Sequence, residues 1–225
     1  MIIHIDYSTG ASGDKTLGAL LELAEVLGLT TFAELQALIA QLLPDAAVCL
    51  HREKVVRGSV NASYLSVAED APPWRRWSQI RTLLEDAGAS GLLGERTAAR
   101  ALTVFEAIAV AEAEVHGVEL EQVHFHEIGA ADSVVDIVGC CWLLERLAPS
   151  AVLATPLALG SGTVSFSHGT LPVPAPATAR LVTGLPVCTG PLICGSSDAD
   201  RDREGEGGAV GGHRDAGGHR DGSSV

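Results

Sequence analysis

Residues 132–147 read Asp132-Ser-Val-Val-Asp136-Ile137-Val-Gly-Cys-Cys-Trp-Leu-Leu144-Glu-Arg-Leu147. Eight uncharged residues follow one another from Ile137 to Leu144, and the length suits an α-helix rather than a strand. A helix that is apolar around most of its circumference is buried rather than lying on the surface. We therefore expect this segment to lie inside the fold, in contact with other elements.

Helical and strand patterns alternate along the rest of the chain. Residues 1–6 predict a short buried strand that ends in a carboxylate, and residues 8–14 predict a turn of small residues before a helix that stops near Gly28. The other predicted helices are 31–43, 78–87, 95–116 and 178–182, and the other predicted strands are 48–57, 59–67 and 151–159. This alternation favours an α/β or α+β fold with a mixed sheet and several helices, whose strand order stays open.

Charge and composition exclude several classes of protein. The chain has 225 residues and a formal net charge of −13, which argues against a nucleic-acid-binding surface because phosphate recognition needs Lys and Arg. No apolar run approaches the roughly 18 residues of a membrane span. Residues 1–6 lack the basic and apolar regions of a signal peptide, and the five scattered cysteines form no disulfide framework. We expect a cytoplasmic protein.

The end of the chain differs in composition from the rest. Residues 191–225 hold nine of the 25 glycines together with seven acidic and four basic side chains, and almost no apolar ones. Such a segment cannot bury enough apolar area to offset its chain entropy. We expect a domain at 1–190, with any sub-boundary near 70–77, and a disordered tail at 191–225.

The densest group of chemically competent side chains lies before and within the apolar helix. It consists of His124, His126, Glu127, Asp132 and Asp136. Histidines two apart on an extended segment point to the same side, and aspartates four apart share one helix face. Imidazole and carboxylate ligands together suit Ni, Zn, Fe or Mn. The alternative is structural: Asp132 or Ser133 caps the helix, Asp136 is solvated, and the histidines form local hydrogen bonds.

Two glycine-containing segments are further candidates for ligand binding. The first comprises Asp6, Ser12, Gly13 and Asp14, and the second comprises Gly160, Gly162 and His168. The first joins a strand end to a helix N-terminus, which favours an anion, but it matches neither a P-loop nor a dinucleotide fingerprint, and Asp14 is equally an ordinary first-turn residue. Glycines in the second let a backbone approach a ligand closely, or simply form a mobile loop.

Taken together, these segments resemble the LarC family of nickel insertion proteins over most of residues 1–190. Four stretches carry the resemblance besides the short Val115-His-Gly117. They are Asp6…Ser12-Gly13-Asp14…Leu17-Gly-Ala-Leu20, Val123-His-Phe-His-Glu-Ile-Gly-Ala-Ala-Asp-Ser-Val-Val-Asp-Ile-Val-Gly139, Pro156-Leu-Ala-Leu-Gly-Ser-Gly-Thr-Val164 and His168-Gly-Thr-Leu-Pro-Val-Pro-Ala-Pro-Ala-Thr178. The motifs occur in the family's order, and the later ones are long enough to be specific.

The resemblance implies an activity. Such proteins insert nickel into pyridinium-3,5-bisthiocarboxylic acid mononucleotide, forming one nickel–carbon and two nickel–sulfur bonds, and so make the cofactor of lactate racemase and its relatives. The reaction consumes CTP with Mg²⁺ or Mn²⁺, which the C-terminal half of the family's proteins handles. By this resemblance, His124, His126 and Glu127 hold or pass Ni²⁺, and Asp132 and Asp136 are further ligands or orient the ligands. Asp6, Asp14 and His168 then complete this site or contact the mononucleotide, together with the glycine-containing segments in which they lie.

The sequence departs from the family's pattern in several places. The family often has Met at the position of Lys15, and many members carry a His-rich stretch where this chain has residues 69–77. Full-length members continue for about as long again, beginning with a Thr-Pro-Thr-Gly element. The codons of Asp198-Ala-Asp-Arg201, read one base later, can encode that element, so the tail is expected to be out of frame; some members use a programmed frameshift.

Three functions therefore compete at the level of sequence. The first is half of a CTP-dependent nickel insertase, which would serve a lactate-racemase-type apoprotein and could form a homo-oligomer. The second is a non-catalytic nickel- or substrate-binding half that acts with a separate C-terminal polypeptide. The third is a metal-dependent hydrolase built on the His and Asp group, which would leave the later motifs without a role.

Overall fold

A computed structural model of the chain describes residues 1–44, 48–57, 59–68, 76–125, 131–166 and 169–189. Its helices are α1 (Gly13–Val26), α2 (Phe32–Leu42), α3 (Trp77–Ala89), α4 (Glu95–His116), α5 (Ala131–Leu147) and α6 (Pro176–Leu181). Its strands are β1 (Ile2–Ile5), β2 (Cys49–Arg57), β3 (Val60–Ala68), β4 (Ala151–Ala154), β5 (Leu157–Leu159), β6 (Thr163–Phe166), β7 (Gly169–Pro172) and β8 (Val187–Thr189). The tail at 191–225 and nearly all of the sub-boundary at 70–77 lie outside the described residues.

The described strands pair two by two. β1 and β4 are parallel, with Ile2 opposite Ala151, and β5 and β8 are parallel, with Leu157 opposite Val187. β2 with β3 and β6 with β7 form antiparallel hairpins. The mixture of parallel and antiparallel pairs among helices confirms the α/β class. Among the residues that the structure describes, no helix is both long and apolar enough to cross a membrane.

The strand predicted at 151–159 is in fact two strands that belong to different pairs. The break falls at Thr155 and Pro156, and Pro156 has no N–H group with which to continue a ladder. At the break, the hydroxyl oxygen of Thr155 accepts a hydrogen bond of 2.7 Å from the N–H of Tyr7. The side chain of Thr155 thus replaces a ladder contact just beyond the end of β1.

The apolar helix predicted around Ile137 is α5, and it forms part of the core. Val134, Val135, Val138 and Leu143 are fully buried on it, and the helix packs against α1 and α4. Gly139 allows α1 to approach closely, because a Cβ atom at that position would lie 2.6 Å from Cδ1 of Leu17. The core therefore holds α1 and α5 side by side, and this arrangement places the candidate site.

The N-terminus of α4 is capped from another helix. Gly94, at the N-cap, has no side chain with which to accept from the first backbone N–H groups. The Glu145 carboxylate on α5 instead accepts a hydrogen bond of 2.9 Å from the N–H of Thr97 and another from the Thr97 hydroxyl. Since Thr97 is fully buried, this carboxylate satisfies polar groups that no water reaches.

Replacing Glu145 with alanine is expected to lower the free energy of unfolding by about 1–3 kcal/mol, because two buried donors lose their acceptor. Urea unfolding followed by circular dichroism measures the change. The matched control is Glu114→Ala, which removes an exposed ion pair with Arg180 and should change stability by less than about 1 kcal/mol. Equal effects of the two substitutions would contradict the capping role.

Candidate functional site

The turn between β1 and α1 meets the acidic side of α5. Gly13 is the first residue of α1, and a Cβ atom there would lie 2.3 Å from Oδ2 of Asp136. The half-buried Asp136 carboxylate is therefore packed against the N-terminal turn of α1. A negative charge in this place is stabilised by the positive end of the helix dipole. Two segments that the sequence analysis treated separately are thus in contact.

Asp6 lies immediately beyond β1, beside the end of the parallel strand β4. Its carboxylate accepts hydrogen bonds from the N–H of Ser8, at 2.9 Å, and from the hydroxyl of Thr155, at 3.3 Å. The hydrogen bonds from Ser8 chiefly hold the pKa of Asp6 below its ordinary value, and Thr155 and His4 act in the same direction. The side chain is exposed and ionised, so it can act as a metal ligand or accept a hydrogen bond.

A cleft of about 410 Å³ opens between β1 and α1. Residues 3–7 line one wall, and Ser12, Lys15 and Leu20 are among those that line the other. The cleft contains Asp6 and Ser12 of the predicted set. Its lining also includes polar residues outside that set, among them His4, Tyr7 and Lys15. His4 could have been found, because it lies two residues before Asp6 on a strand and so points to the same side.

His124 is exposed and lies within an extended segment. The neighbouring Val123 and Phe125 are both buried, so alternate side chains point inward and His124 points outward. Phe125 packs against Phe105 of α4, with 6.4 Å between the ring centroids, and this contact fixes the segment. His126 and Glu127 lie outside the described residues.

The remaining predicted residues fall in three places. Asp132 lies inside the first turn of α5 instead of preceding the helix, and its carboxylate accepts from the N–H and hydroxyl of Ser133. Asp14 lies in the first turn of α1 and accepts from the N–H of Lys15. The loop between β5 and β6 contains Gly160 and Gly162, and Gly162 has the left-handed φ of 104° that favours glycine. His168 lies outside the described residues.

The loop with Gly160 begins close to the turn after β1. Ala158, in the middle of β5, donates its N–H to the carbonyl of Tyr7 at 3.2 Å, so β5 runs beside this turn. Gly162 accepts at its carbonyl from Val173, which ties the loop to the segment after β7. Within the described ranges, no three His, Cys, Asp or Glu side chains are arranged to hold a metal ion together. Any metal site therefore needs further ligands from outside these ranges or from a bound molecule.

The adjacent cysteines of α5 belong to the core, as the apolar run predicts. Cys141 is buried and Cys140 is half-buried against the core residues. Burial raises the pKa of both thiols, and it raises that of Cys141 to about 11. Both therefore remain protonated at neutral pH and are poor metal ligands in the folded chain.

Iodoacetamide at pH 8 is expected to modify Cys49 and Cys188, which are exposed, and to leave Cys140 and Cys141 unmodified in the folded protein. Peptide mass spectrometry after a timed reaction gives the extent at each position and resolves Cys194, which lies outside the described residues. Unfolding in urea before alkylation is the control, and it should make all of them reactive. Rapid modification of Cys141 without urea would contradict its burial.

Comparison with known proteins identifies relatives for nearly the whole described region. A family model described as nickel insertion protein matches residues 3–206. A nickel insertion protein of Geobacter metallireducens is 43% identical over 188 residues, which are 83% of this chain and 46% of that protein. A pyridinium-3,5-bisthiocarboxylic acid mononucleotide nickel insertion protein of Nocardioides is 42% identical over 187 residues, 83% of this chain and 45% of that protein. The chain thus spans about half the length of the curated relatives it matches. No solved structure matches it.

Proposed function

Because the chain belongs to the nickel insertion protein family, we propose that it holds the mononucleotide and the nickel ion during metal insertion into pyridinium-3,5-bisthiocarboxylic acid mononucleotide. Nickel is here the substrate that is transferred and not a resident cofactor. The Nocardioides relative carries this reaction in its name, and the match covers most of the described chain. The proposal extends that activity to the residues around Asp6, Gly13 and Asp136.

The contact between Asp136 and Gly13 carries the proposal. It brings the helix that holds the predicted metal carboxylates to the turn predicted to contact the organic substrate. A phosphate-bearing substrate at the turn would then lie near the carboxylates that handle the metal. Asp6 lies at the same end of the β1–α1 cleft and remains ionised because its pKa is lowered.

The chemistry of insertion needs both ligands and a proton acceptor. Formation of a nickel–carbon bond at a ring carbon releases the proton that the carbon carried, and a nearby base must accept it. A carboxylate whose pKa is lowered is a weak base but a good hard ligand, so Asp6 suits metal coordination better than proton transfer. We assign His124 and His126 to nickel delivery, and Glu127, Asp132 and Asp136 to coordination or to orienting the ligands.

We place CTP and its Mg²⁺ or Mn²⁺ in the region of the relatives that lies outside their match with this chain. The turn at residues 8–14 has no Gly-Lys-Ser/Thr sequence with which to cradle a triphosphate. The product would serve a lactate-racemase-type apoprotein in the cytoplasm.

A second function, that of a non-catalytic binding half, is supported by the comparison of lengths, since less than half of each of these relatives is matched.

An insertion assay separates these two functions. The chain is incubated with nickel, the pyridinium mononucleotide, CTP and Mg²⁺, with and without the unmatched region of the Geobacter metallireducens relative supplied as a second polypeptide. Mass spectrometry of the small-molecule product reports nickel incorporation. Product only with both polypeptides supports a binding half, and product from this chain alone supports a complete insertase. Substrate that is neither bound nor metallated in either mixture would overturn the proposed function.

A further inference from the structure

The core covers β1 on one face, but β4 stays exposed even there, since Val152, which lies opposite Ile3, is 46% exposed. Ile3 points into the core and is 7% exposed. On the opposite face, Ile2 is 62% exposed and Leu153 is 53% exposed, and His4 lies opposite Leu153. Parallel sheets are almost always covered on both faces and contain more than two strands. Among the described strands, β1 pairs only with β4, so no described strand occupies its other edge.

The cleft between β1 and α1 follows this open edge. Five consecutive residues, 3–7, line it, whereas none of its described lining residues belongs to β4. Its other wall includes Thr16, Ala19, Leu20 and Leu23, spaced so that they share one face of α1. The cleft therefore combines a row of backbone donors and acceptors with an apolar helix face. An added β-strand uses both: its main chain bonds to the edge, and its alternate side chains pack in the cleft.

We propose that this cleft binds an extended segment from the region of the longer relatives that has no match in this chain, and that the segment pairs with β1 as an additional strand. More than half of the Geobacter metallireducens relative has no counterpart here, which is ample chain to supply a strand and a cover for Ile2 and Leu153. The segment's main chain bonds to β1, and its alternate apolar side chains contact Leu20 and Leu23. The proposal rests on the proposed function only in that this other region acts together with the chain.

The cleft ends beside the candidate functional site, so a segment docked in it would also lie near that site. The end of the cleft at Asp6 and Ser12 adjoins Gly13, which Asp136 contacts. A region docked along β1 would lie beside these carboxylates. It could therefore supply the metal ligands that the described residues do not gather by themselves.

Co-expression of the chain with the tagged, unmatched region of the Geobacter metallireducens relative tests the docking. The two are expected to co-purify in equal amounts, and Ala19→Trp, which fills the cleft, should lower the retained chain by at least about tenfold. Val26→Trp is the matched control, because Val26 is on the same helix, 84% exposed and outside the cleft, and it should have no effect. Ala19→Glu gives a second variant if the tryptophan impairs folding, which thermal unfolding would detect. Unchanged retention of both Ala19 variants would overturn the proposal.

Hydrogen exchange gives an independent readout if the separate region does not fold. The backbone amides of β1 that face away from β4 should exchange at least about tenfold more slowly in the intact relative than in this chain. Equal rates would overturn the proposal.

Sedimentation of this chain alone tests whether a second copy occupies the cleft. Self-association that Ala19→Trp abolishes would also overturn the proposal. None of these measurements depends on nickel, so a failed insertion assay leaves them interpretable.

Discussion

Replacing Asp136 with alanine is expected to lower nickel insertion by roughly 10–100-fold while the protein remains folded. The Asp136 carboxylate packs on Gly13 at the positive end of α1. Its removal therefore takes away a charge where α5 contacts the turn between β1 and α1. Asp136→Asn keeps the shape and removes only the charge, and it should cause most of the same loss. The insertion assay with the complementary polypeptide present measures both variants.

The substitution Gly13→Ala tests the same contact independently, because it disturbs the Asp136 carboxylate through its added methyl group. Its Cβ atom would occupy the space of the Asp136 carboxylate, so Gly13→Ala must displace that side chain without changing any charge. We expect Gly13→Ala to resemble Asp136→Asn in insertion, since both disturb one junction. Asp86→Asn, on the exposed surface of α3, is the control and should be fully active. Full activity of Asp136→Ala would exclude this carboxylate from the mechanism.

The parts of the fold that sequence reasoning could predict are those specified by nearby residues. The helix at 95–116 coincides with α4, because its apolar spacing is regular and Gly117 adopts the left-handed conformation that ends it. The apolar run at 137–144 likewise lies in α5. In both cases the determining interactions span only a few residues.

Long-range contacts could not be predicted in this way. The capping of Thr97 by Glu145 joins residues 48 apart, and neither residue carries a local sign of it. The hairpin of β6 and β7 is also absent from the sequence prediction, since each strand has only four residues. In the candidate site, the individual residues could be selected, but the contact between Gly13 and Asp136 depends on how α1 packs against α5.

The double variant His124→Ala/His126→Ala is expected to lose one nickel-binding site, so that its nickel affinity falls by more than about 100-fold. His124 is held outward by the buried Val123 and Phe125, so it is available to a metal before any substrate binds. Equilibrium dialysis with elemental analysis measures bound nickel per chain. Because His124 is exposed, its loss should leave the unfolding transition close to that of the unsubstituted chain.

His116→Ala is the control that separates a specific site from the general affinity of imidazole for nickel. His116 ends α4, where its imidazole lies 3.3 Å from the Glu112 carboxylate of the same helix. Its removal should leave nickel stoichiometry unchanged. If the double variant keeps its nickel affinity but loses insertion, the histidines act on the substrate instead of the metal. If it keeps both properties, nickel is held by the carboxylates and by ligands from the docked region.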